Sequence, residues 1–319
     1  MEMYRNAFLA YLNKQKKKRE PENLYTPIDY IMGLGGKRIR PVLVLMSCDL
    51  FGGNFKEAMD AALSVEMFHN FTLIHDDIMD RADLRRGHET VHKKWDLNTG
   101  ILSGDTLMIM SNQKLEQYSG EKFKALISLF NKTALEVCEG QQLDVDFEKL
   151  LDVPLETYLK MISYKTAVLV GASLKMGAII AGASLDDQQK IYDFGLNLGI
   201  AFQLQDDYLD SFGSEDFGKK IGGDIIEGKK TFLYIKALEL SNDKDRVKLL
   251  ELFSSGRDEN YKISEVKKIF LKYGLDELLT KQIEDYTMIA FKDIEGLSIG
   301  SSKKLILKNF GLGLMKRKT

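Results

Sequence analysis

Four prolines, at positions 21, 27, 41 and 154, are all that 319 residues contain. A proline inside a helix costs roughly 3 kcal/mol or more, so their scarcity leaves long stretches open to helix. Apolar spacing agrees. Ala58, Ala61, Ala62, Val65 and Phe68 follow a three-and-four rhythm, as do Ile191, Phe194, Leu198 and Ala201. Clean period-two alternation is hard to find. The breaks carry turn residues, among them Gly52-Gly53-Asn54, Ser119-Gly120, Gly182-Ala183-Ser184 and Gly222-Gly223-Asp224. No Ser/Gly/Pro linker divides the chain. The expectation is one all-α domain spanning residues 1–319, a bundle of about ten helices.

Both rhythmic segments end in the same pattern. Asp76-Asp77-Ile78-Met79-Asp80 and Asp206-Asp207-Tyr208-Leu209-Asp210 are each D-D-x-x-D. Positions i and i+4 share a helix face, which pairs Asp76 with Asp80 and Asp206 with Asp210. Like charges held this closely call for a bound cation. Hard divalent ions such as Mg²⁺ take carboxylate oxygens and keep substrate phosphates as further ligands. Two such faces opposed across a cavity would bind a diphosphate through magnesium.

Other chemistry-bearing residues gather around these clusters. His69 and Thr72 project onto the face of Asp76 and Asp80. His75 reads as a hydrogen-bonded, partly buried side chain. Arg85 and Arg86 follow the first cluster and suit phosphate oxygens, an exposed salt-bridged loop being the alternative. Gly35-Gly36-Lys37-Arg38-Ile39-Arg40-Pro41 resembles an anion-binding turn but lacks P-loop spacing. Gln203 precedes Asp206 by three, and Lys219, Lys220, Lys229 and Lys230 follow in a glycine-rich stretch. Lys165-Thr166 places a cation and a hydroxyl in an otherwise apolar helix.

Composition narrows the remaining classes. With 45 basic and 47 acidic residues the formal net charge is −2, which gives no support for nucleic-acid or membrane-surface binding. Cys48 and Cys138 lie far apart, implying no disulfide framework, and fit a reducing cytoplasm. Met1 to Tyr11 lacks the apolar run of a signal peptide, and no uninterrupted apolar stretch reaches ~18 residues, so no membrane span is expected.

Taken together, the two D-D-x-x-D motifs, Gly-Gly-Lys-Arg-x-Arg-Pro before the first, Arg-Arg-Gly after it, and Phe-Gln-x-x-Asp-Asp at the second resemble the trans-prenyltransferases. These are the polyprenyl diphosphate synthases that make farnesyl and geranylgeranyl diphosphate. The resemblance runs from Gly35 to the basic tail Lys316-Arg317-Lys318. It implies an all-α fold around a deep central cavity, a homodimer, and three Mg²⁺ ions held by Asp76, Asp80 and Asp206. Asp77, Asp207 and Asp210 would support them, partly through metal-bound water. By the same resemblance Arg85, Lys165, Lys220 and Lys229 take the allylic diphosphate. Lys37, Arg40, His69 and Arg86 take isopentenyl diphosphate, and Thr166 and Gln203 face the developing carbocation. The basic tail is similar to one that closes over isopentenyl diphosphate in eukaryotic farnesyl synthases.

The implied reaction breaks an allylic C–O bond, and isopentenyl diphosphate attacks the cation head-to-tail. No side chain is an obvious base, so the departed pyrophosphate accepts the proton. Phe71 and Thr72, five and four residues before the first motif, resemble the floor that limits chain length. A phenylalanine followed by a small residue is similar to the archaeal-type geranylgeranyl synthases, so the resemblance implies geranylgeranyl diphosphate, with farnesyl diphosphate as the alternative product. A class I terpene cyclase shares the first motif, but carries a different second metal site and has no use for a second diphosphate pocket. A non-catalytic regulatory subunit tends to lose its aspartates, and this chain keeps both sets.

Overall fold

In a computed structural model, the description covers residues 1–15, 18–213, 221–254 and 258–316. Lys220, Arg317 and Lys318, each given a role above, lie outside those residues. Sixteen α-helices are assigned among the described residues: α1 (Glu2–Lys14), α2 (Glu22–Gly33), α3 (Ile39–Leu50), α4 (Met59–Met79), α5 (Val91–Lys94), α6 (Leu97–Leu115), α7 (Gly120–Phe147), α8 (Leu155–Ile162), α9 (Val168–Ala181), α10 (Leu185–Phe212), α11 (Gly223–Glu227), α12 (Phe232–Leu240), α13 (Asp243–Ser254), α14 (Glu259–Lys272), α15 (Leu275–Glu295) and α16 (Ser301–Met315). The number exceeds the ten or so expected because short turns cut the C-terminal third into separate helices. Two strands, β1 (Leu84–Arg85) and β2 (His88–Glu89), pair antiparallel. Two residues per strand are too few for any alternation to register in the sequence.

The chain groups into two compact units, Met1–Ala134 with Ala172–Gln189 and Leu135–Gly171 with Lys190–Thr319. In the first, α3 is buried on nearly every side (Val42 to Met46 and Cys48), and α4 is wholly buried from Ala61 to Phe68. Beyond Phe68, α4 becomes amphipathic, and its aspartate end is gripped by α6. The buried face of α6 is made of small residues: Gly100, Ser103, Gly104 and Ser111 around Leu107. A Cβ on Gly104 would lie 2.3 Å from His75 Nε2, and one on Gly100 would lie 3.0 Å from Ile78 Cδ1. Glycine is therefore required for α6 to approach α4 this closely.

The second unit has its own core, with Tyr158, Leu204, Phe232, Tyr234, Leu249, Val266, Phe270 and Leu279 all nearly inaccessible. Between α8 and α9 the helix widens into a π-turn, Ser163–Ala167. The continuous stretch Leu155–Ala181 is long and apolar enough to cross a membrane, with a mean hydropathy of 1.3 over its best window. Two-thirds of that window (67%) is buried inside the protein, the pattern of a core helix.

Candidate active site

On the first unit, the first aspartate cluster sits at the C-terminal end of α4. The helix macrodipole places partial negative charge at that end. Three carboxylates there add to it, so the arrangement demands cations. The second aspartate is turned into the protein: Asp77 is 1% exposed. Arg85 Nε donates to both of its carboxylate oxygens at 2.8 Å, and Arg85 Nη2 lies 2.6 Å from Oδ1. Burial raises the Asp77 carboxyl, and Arg85 opposes that shift. Burial likewise works against the Arg85 charge, but Asp77, Asp76 and Asp80 outweigh it and raise its pKa. Asp76 remains half-buried, 3.7 Å from Arg85 Nη2, and Asp80 is exposed at the helix end. Arg85, assigned from sequence to the allylic diphosphate, is thus bound to this cluster's own carboxylates.

The β-hairpin that carries Arg85 turns through Arg86 and Gly87, both at positive φ (53° and 76°), as a two-residue hairpin turn requires. Arg38, Arg81 and Arg86 are the non-glycine residues at positive φ among the described residues. All three flank this site, and strained backbone of this kind concentrates at functional sites.

Arg86 donates through Nη1 to the Gly35 carbonyl. Its guanidinium covers Gly36 so closely that a Cβ there would sit 2.8 Å from Nη1. The glycine turn and the hairpin are therefore locked together. Lys37 is exposed on this turn. Arg40 Nη1 lies 3.3 Å from His69 Nε2. Arginine has only donors, so His69 accepts at Nε2 and keeps its proton on Nδ1. Burial, then Arg40, Arg86, Arg85 and Arg38, hold His69 well below the usual histidine range, so it is neutral. The structure brings Arg40, His69 and Arg86 together with the turn that bears Lys37.

Phe71 is half-buried, with its ring 5.6 Å from Phe68 and 4.8 Å edge-on from His75. His75 in turn meets the Ile101 carbonyl at 3.2 Å. The partly buried, hydrogen-bonded histidine expected at 75 is what stands there. Thr72 donates its hydroxyl back to the His69 carbonyl at 2.8 Å.

On the second unit, the second cluster occupies the C-terminal end of α10, where the helix dipole again opposes it. Here too the second aspartate points inward. Asp207 is 5% exposed; it accepts from the Tyr158 hydroxyl and, at 3.4 Å, from Gln203 Nε2. Burial and Asp224 push its carboxyl up to about 8 against the pull of those hydrogen bonds. Asp210 accepts the Asp224 backbone N–H at 3.0 Å and is pushed up to about 6 by burial and by Asp224. Lys229 lies 3.5 Å from Asp224 and 2.9 Å from Glu227. Burial works against its charge, but those carboxylates raise its pKa.

Lys165 and Thr166 both lie on the π-turn, where one extra residue per turn displaces side chains from the α-helical course. Lys165 Nζ is 2.5 Å from Asp144 Oδ2 on α7, and Thr166 Oγ1 donates to Gln203 Oε1 at 3.3 Å. Two glycines press on the turn. A Cβ on Gly140 would fall 2.3 Å from the Lys165 backbone nitrogen, and one on Gly199 would fall 2.7 Å from Ala167 Cα. Sequence reasoning missed Asp144, Tyr158, Arg38 and Glu66. Gln141-Gln142-x-Asp144, an acid among amides on a helix, was the available signal for the first; Arg38 stood inside a motif read for its neighbours.

The family model for polyprenyl synthetase matches residues 21–270. The chain belongs to the polyprenyl synthetase family. A crystal structure of a geranylgeranyl pyrophosphate synthase superimposes with a TM-score of 0.94 at 52% identity, covering 100% of this chain and 99% of that one. A short chain isoprenyl diphosphate synthase from Methanothermobacter thermautotrophicus is 38% identical over 288 residues, 90% of this chain and 88% of the relative. A geranylgeranyl pyrophosphate synthase from Geoglobus acetivorans is 36% identical over 295 residues, 92% and 90% of the two chains.

Proposed function

We propose that the protein is a short-chain trans-prenyltransferase that adds isopentenyl diphosphate to dimethylallyl, geranyl or farnesyl diphosphate, ending at geranylgeranyl diphosphate. The observation that carries this reading is the repeated design of the two clusters. Each closes a long helix at its negative end, buries its second aspartate against donors, and leaves its first and last carboxylates at least partly accessible. The names of the relatives at 52%, 38% and 36% identity support the same reaction.

The donor set fits magnesium. It consists of hard carboxylate oxygens whose mutual repulsion and helix dipoles a cation relieves. Among the described residues no three His, Cys, Asp or Glu side chains form a closed metal site. Magnesium does not ask for one, since it is held by one or two carboxylates together with substrate phosphates. Asp76, Asp80 and Asp206 would hold the ions, three in number by family resemblance; when bound they neutralise charge on the leaving diphosphate.

The chain's own residues do the rest. Arg85 and the Tyr158–Gln203 pair fix the buried aspartates, so the accessible carboxylates of each cluster are set in advance. Arg85, Lys165 and Lys229, with Lys220, supply positive charge where the allylic diphosphate departs, which lowers the barrier selectively. The Thr166 hydroxyl and Gln203 carbonyl oxygen offer dipoles to the allylic cation without capturing it covalently. Lys37, Arg40, His69 and Arg86 hold isopentenyl diphosphate, whose double bond attacks the cation and whose proton passes to the departed pyrophosphate. Phe71 and Thr72 set chain length.

We also propose a cytoplasmic homodimer of single-domain chains. Four large apolar side chains on α6, at Leu97, Ile101, Leu102 and Ile109, are 40–60% exposed and suit a second copy. The test of the reaction is product analysis. The purified protein, magnesium, isopentenyl diphosphate and each allylic diphosphate in turn should yield a twenty-carbon prenyl diphosphate and pyrophosphate. Cyclised hydrocarbon, or no uptake of isopentenyl diphosphate, would refute it.

A further inference from the structure

The glycine turn assembles more positive charge than it displays. Arg38, Arg40 and Arg86 surround it, with Lys37 at its surface. Burial and mutual repulsion work against this cluster. Burial lowers Arg40, with Arg86 adding to the effect, and burial lowers Arg86, with Arg38 and Arg85 adding to it. In both cases the opposing carboxylate is Glu66, on α4. Its side chain is 3% exposed, and it is no part of either aspartate motif.

Glu66 is tied to the turn directly. Its Oε1 accepts from Arg38 Nη1, and Arg38 Nη2 donates to the Met32 carbonyl at 2.6 Å. Arg38 is 4% exposed and caps α3 in the left-handed region, at φ 52°. A non-glycine residue keeps that conformation only where its surroundings over-determine it. Here they do so by pinning the guanidinium between α4 and the end of α2. Asn70, one turn along α4 and fully buried, donates to the Glu66 carbonyl at 2.8 Å and to its Oε1 at 3.3 Å, which fixes the carboxylate. From Arg38 the backbone leads back to Lys37 and Gly36, the latter under the Arg86 guanidinium, and forward two residues to Arg40.

We propose that Glu66 is a positioning residue for the isopentenyl diphosphate site: through Arg38 it fixes the turn Gly35–Arg40, and its charge allows the arginines to be assembled before the anion arrives. This rests on the reading that Lys37, Arg40, His69 and Arg86 hold isopentenyl diphosphate. Two effects compete when the charge is removed. A more positive cluster attracts an anion more strongly, whereas a buried Arg38 without its counter-charge must move and carry the turn with it. The second wins if position, not net charge, governs binding.

The test compares Glu66→Gln, which keeps shape and removes charge, with Glu66→Asp, which keeps charge. Steady-state kinetics on the purified full chain measure KM for each substrate and kcat, alongside thermal melts. In Glu66→Gln, KM for isopentenyl diphosphate should rise about tenfold or more, with the allylic KM and kcat within about threefold of wild type. Glu66→Asp should recover most of that selectivity, and carries the test alone if Glu66→Gln does not fold: its smaller rise should still fall on isopentenyl diphosphate. A lowered Tm with an unchanged ratio of the two KM values would overturn the proposal, as would tighter isopentenyl diphosphate binding. Lys37→Ala separates the two levels. If it raises KM for isopentenyl diphosphate while Glu66→Gln does not, the positioning role alone is wrong. If neither does, the assignment of the pocket is wrong as well.

Discussion

Gly140→Ala tests whether the π-turn is held in place by its neighbours. The added Cβ would stand 2.3 Å from the Lys165 backbone nitrogen and 2.7 Å from the Tyr164 carbonyl carbon. Ordinary contact begins near 3.4 Å, so the turn or α7 must give by 1.1 Å, the difference between 3.4 and 2.3. Both clashing atoms are backbone, and no side chain can swing aside. Overpacking of this kind costs about 1–3 kcal/mol. Alanine in place of a mid-helix glycine returns roughly 0.5–1 kcal/mol. The net loss of stability is therefore small, a Tm drop of a few degrees at about 2–4 °C per kcal/mol.

The effect on turnover should be far larger. Lys165 sits 2.5 Å from Asp144, and Thr166 sits 3.3 Å from Gln203. A shift of about 1 Å spoils both, and misplacement by that much can cost on the order of 10²-fold in rate. The assay is kcat with saturating isopentenyl and allylic diphosphates, beside a thermal melt. Gly313→Ala is the control, because nothing lies within 4 Å of its new Cβ; it should leave kcat unchanged. A folded Gly140→Ala enzyme with kcat within about threefold of wild type would refute the argument that the turn is confined and that its position matters.

Asp76→Ala and Asp206→Ala should each lower kcat by orders of magnitude with little loss of helix signal by circular dichroism, and near-normal turnover in either would remove that aspartate from the metal set. Phe71→Ala should lengthen the product beyond twenty carbons, read by chromatography of the hydrolysed prenols. An unchanged distribution from an active enzyme would show that the ring, packed on Phe68 and His75, is core and not floor. Glu265 is held down to about 2 by hydrogen bonds from Lys248 and Lys268. A depressed carboxyl contributes stability that is full above the ordinary glutamate range and lost as pH falls through the folded value. The Tm of Glu265→Gln should therefore lie below wild type at pH 7, with the gap closing by about pH 2; a gap independent of pH would contradict this.

Much of the site could be read from the sequence because helix periodicity is a strong rule. Asp76 and Asp80, one turn apart, needed only the 3.6-residue repeat, and so did the proximity of Gln203 to the second cluster. What escaped was set by tertiary contact. Arg85 was placed by its motif alone, and a sequence shows no sign of its bidentate hold on Asp77, eight residues back. Asp144 and Lys165 are 21 residues apart on different helices, and no local pattern joins them. Arg38 and Arg40 look alike in a basic motif, yet one is buried on Glu66 and the other meets His69. The π-turn has no signature in composition, since Ser-Tyr-Lys-Thr-Ala serves equally in a regular helix. The helix count fell short for a simpler reason: in the C-terminal third, breaks such as Tyr273-Gly274, between α14 and α15, are too short to stand out from the helical spacing on either side.

The π-turn is separable from the packing around it. Tyr158, Ala167 and Gly171 all address α10, at Asp207, Gly199 and Tyr192. In a regular α-helix the nine residues from Tyr158 to Ala167 would turn about 900° and leave the two on opposite sides. One residue looped out reduces the interval to about eight, or about 80° of offset, and both ends can then face the same neighbour. The segment is thus an ordinary helix with a single residue spliced in, and everything outside the splice keeps the phase it would have without it. Removing one residue there would leave both flanks seated on α10 and erase only the swelling that carries Lys165 and Thr166. Chemistry could have been added to this helix, and could be taken away from it, without redesigning the core.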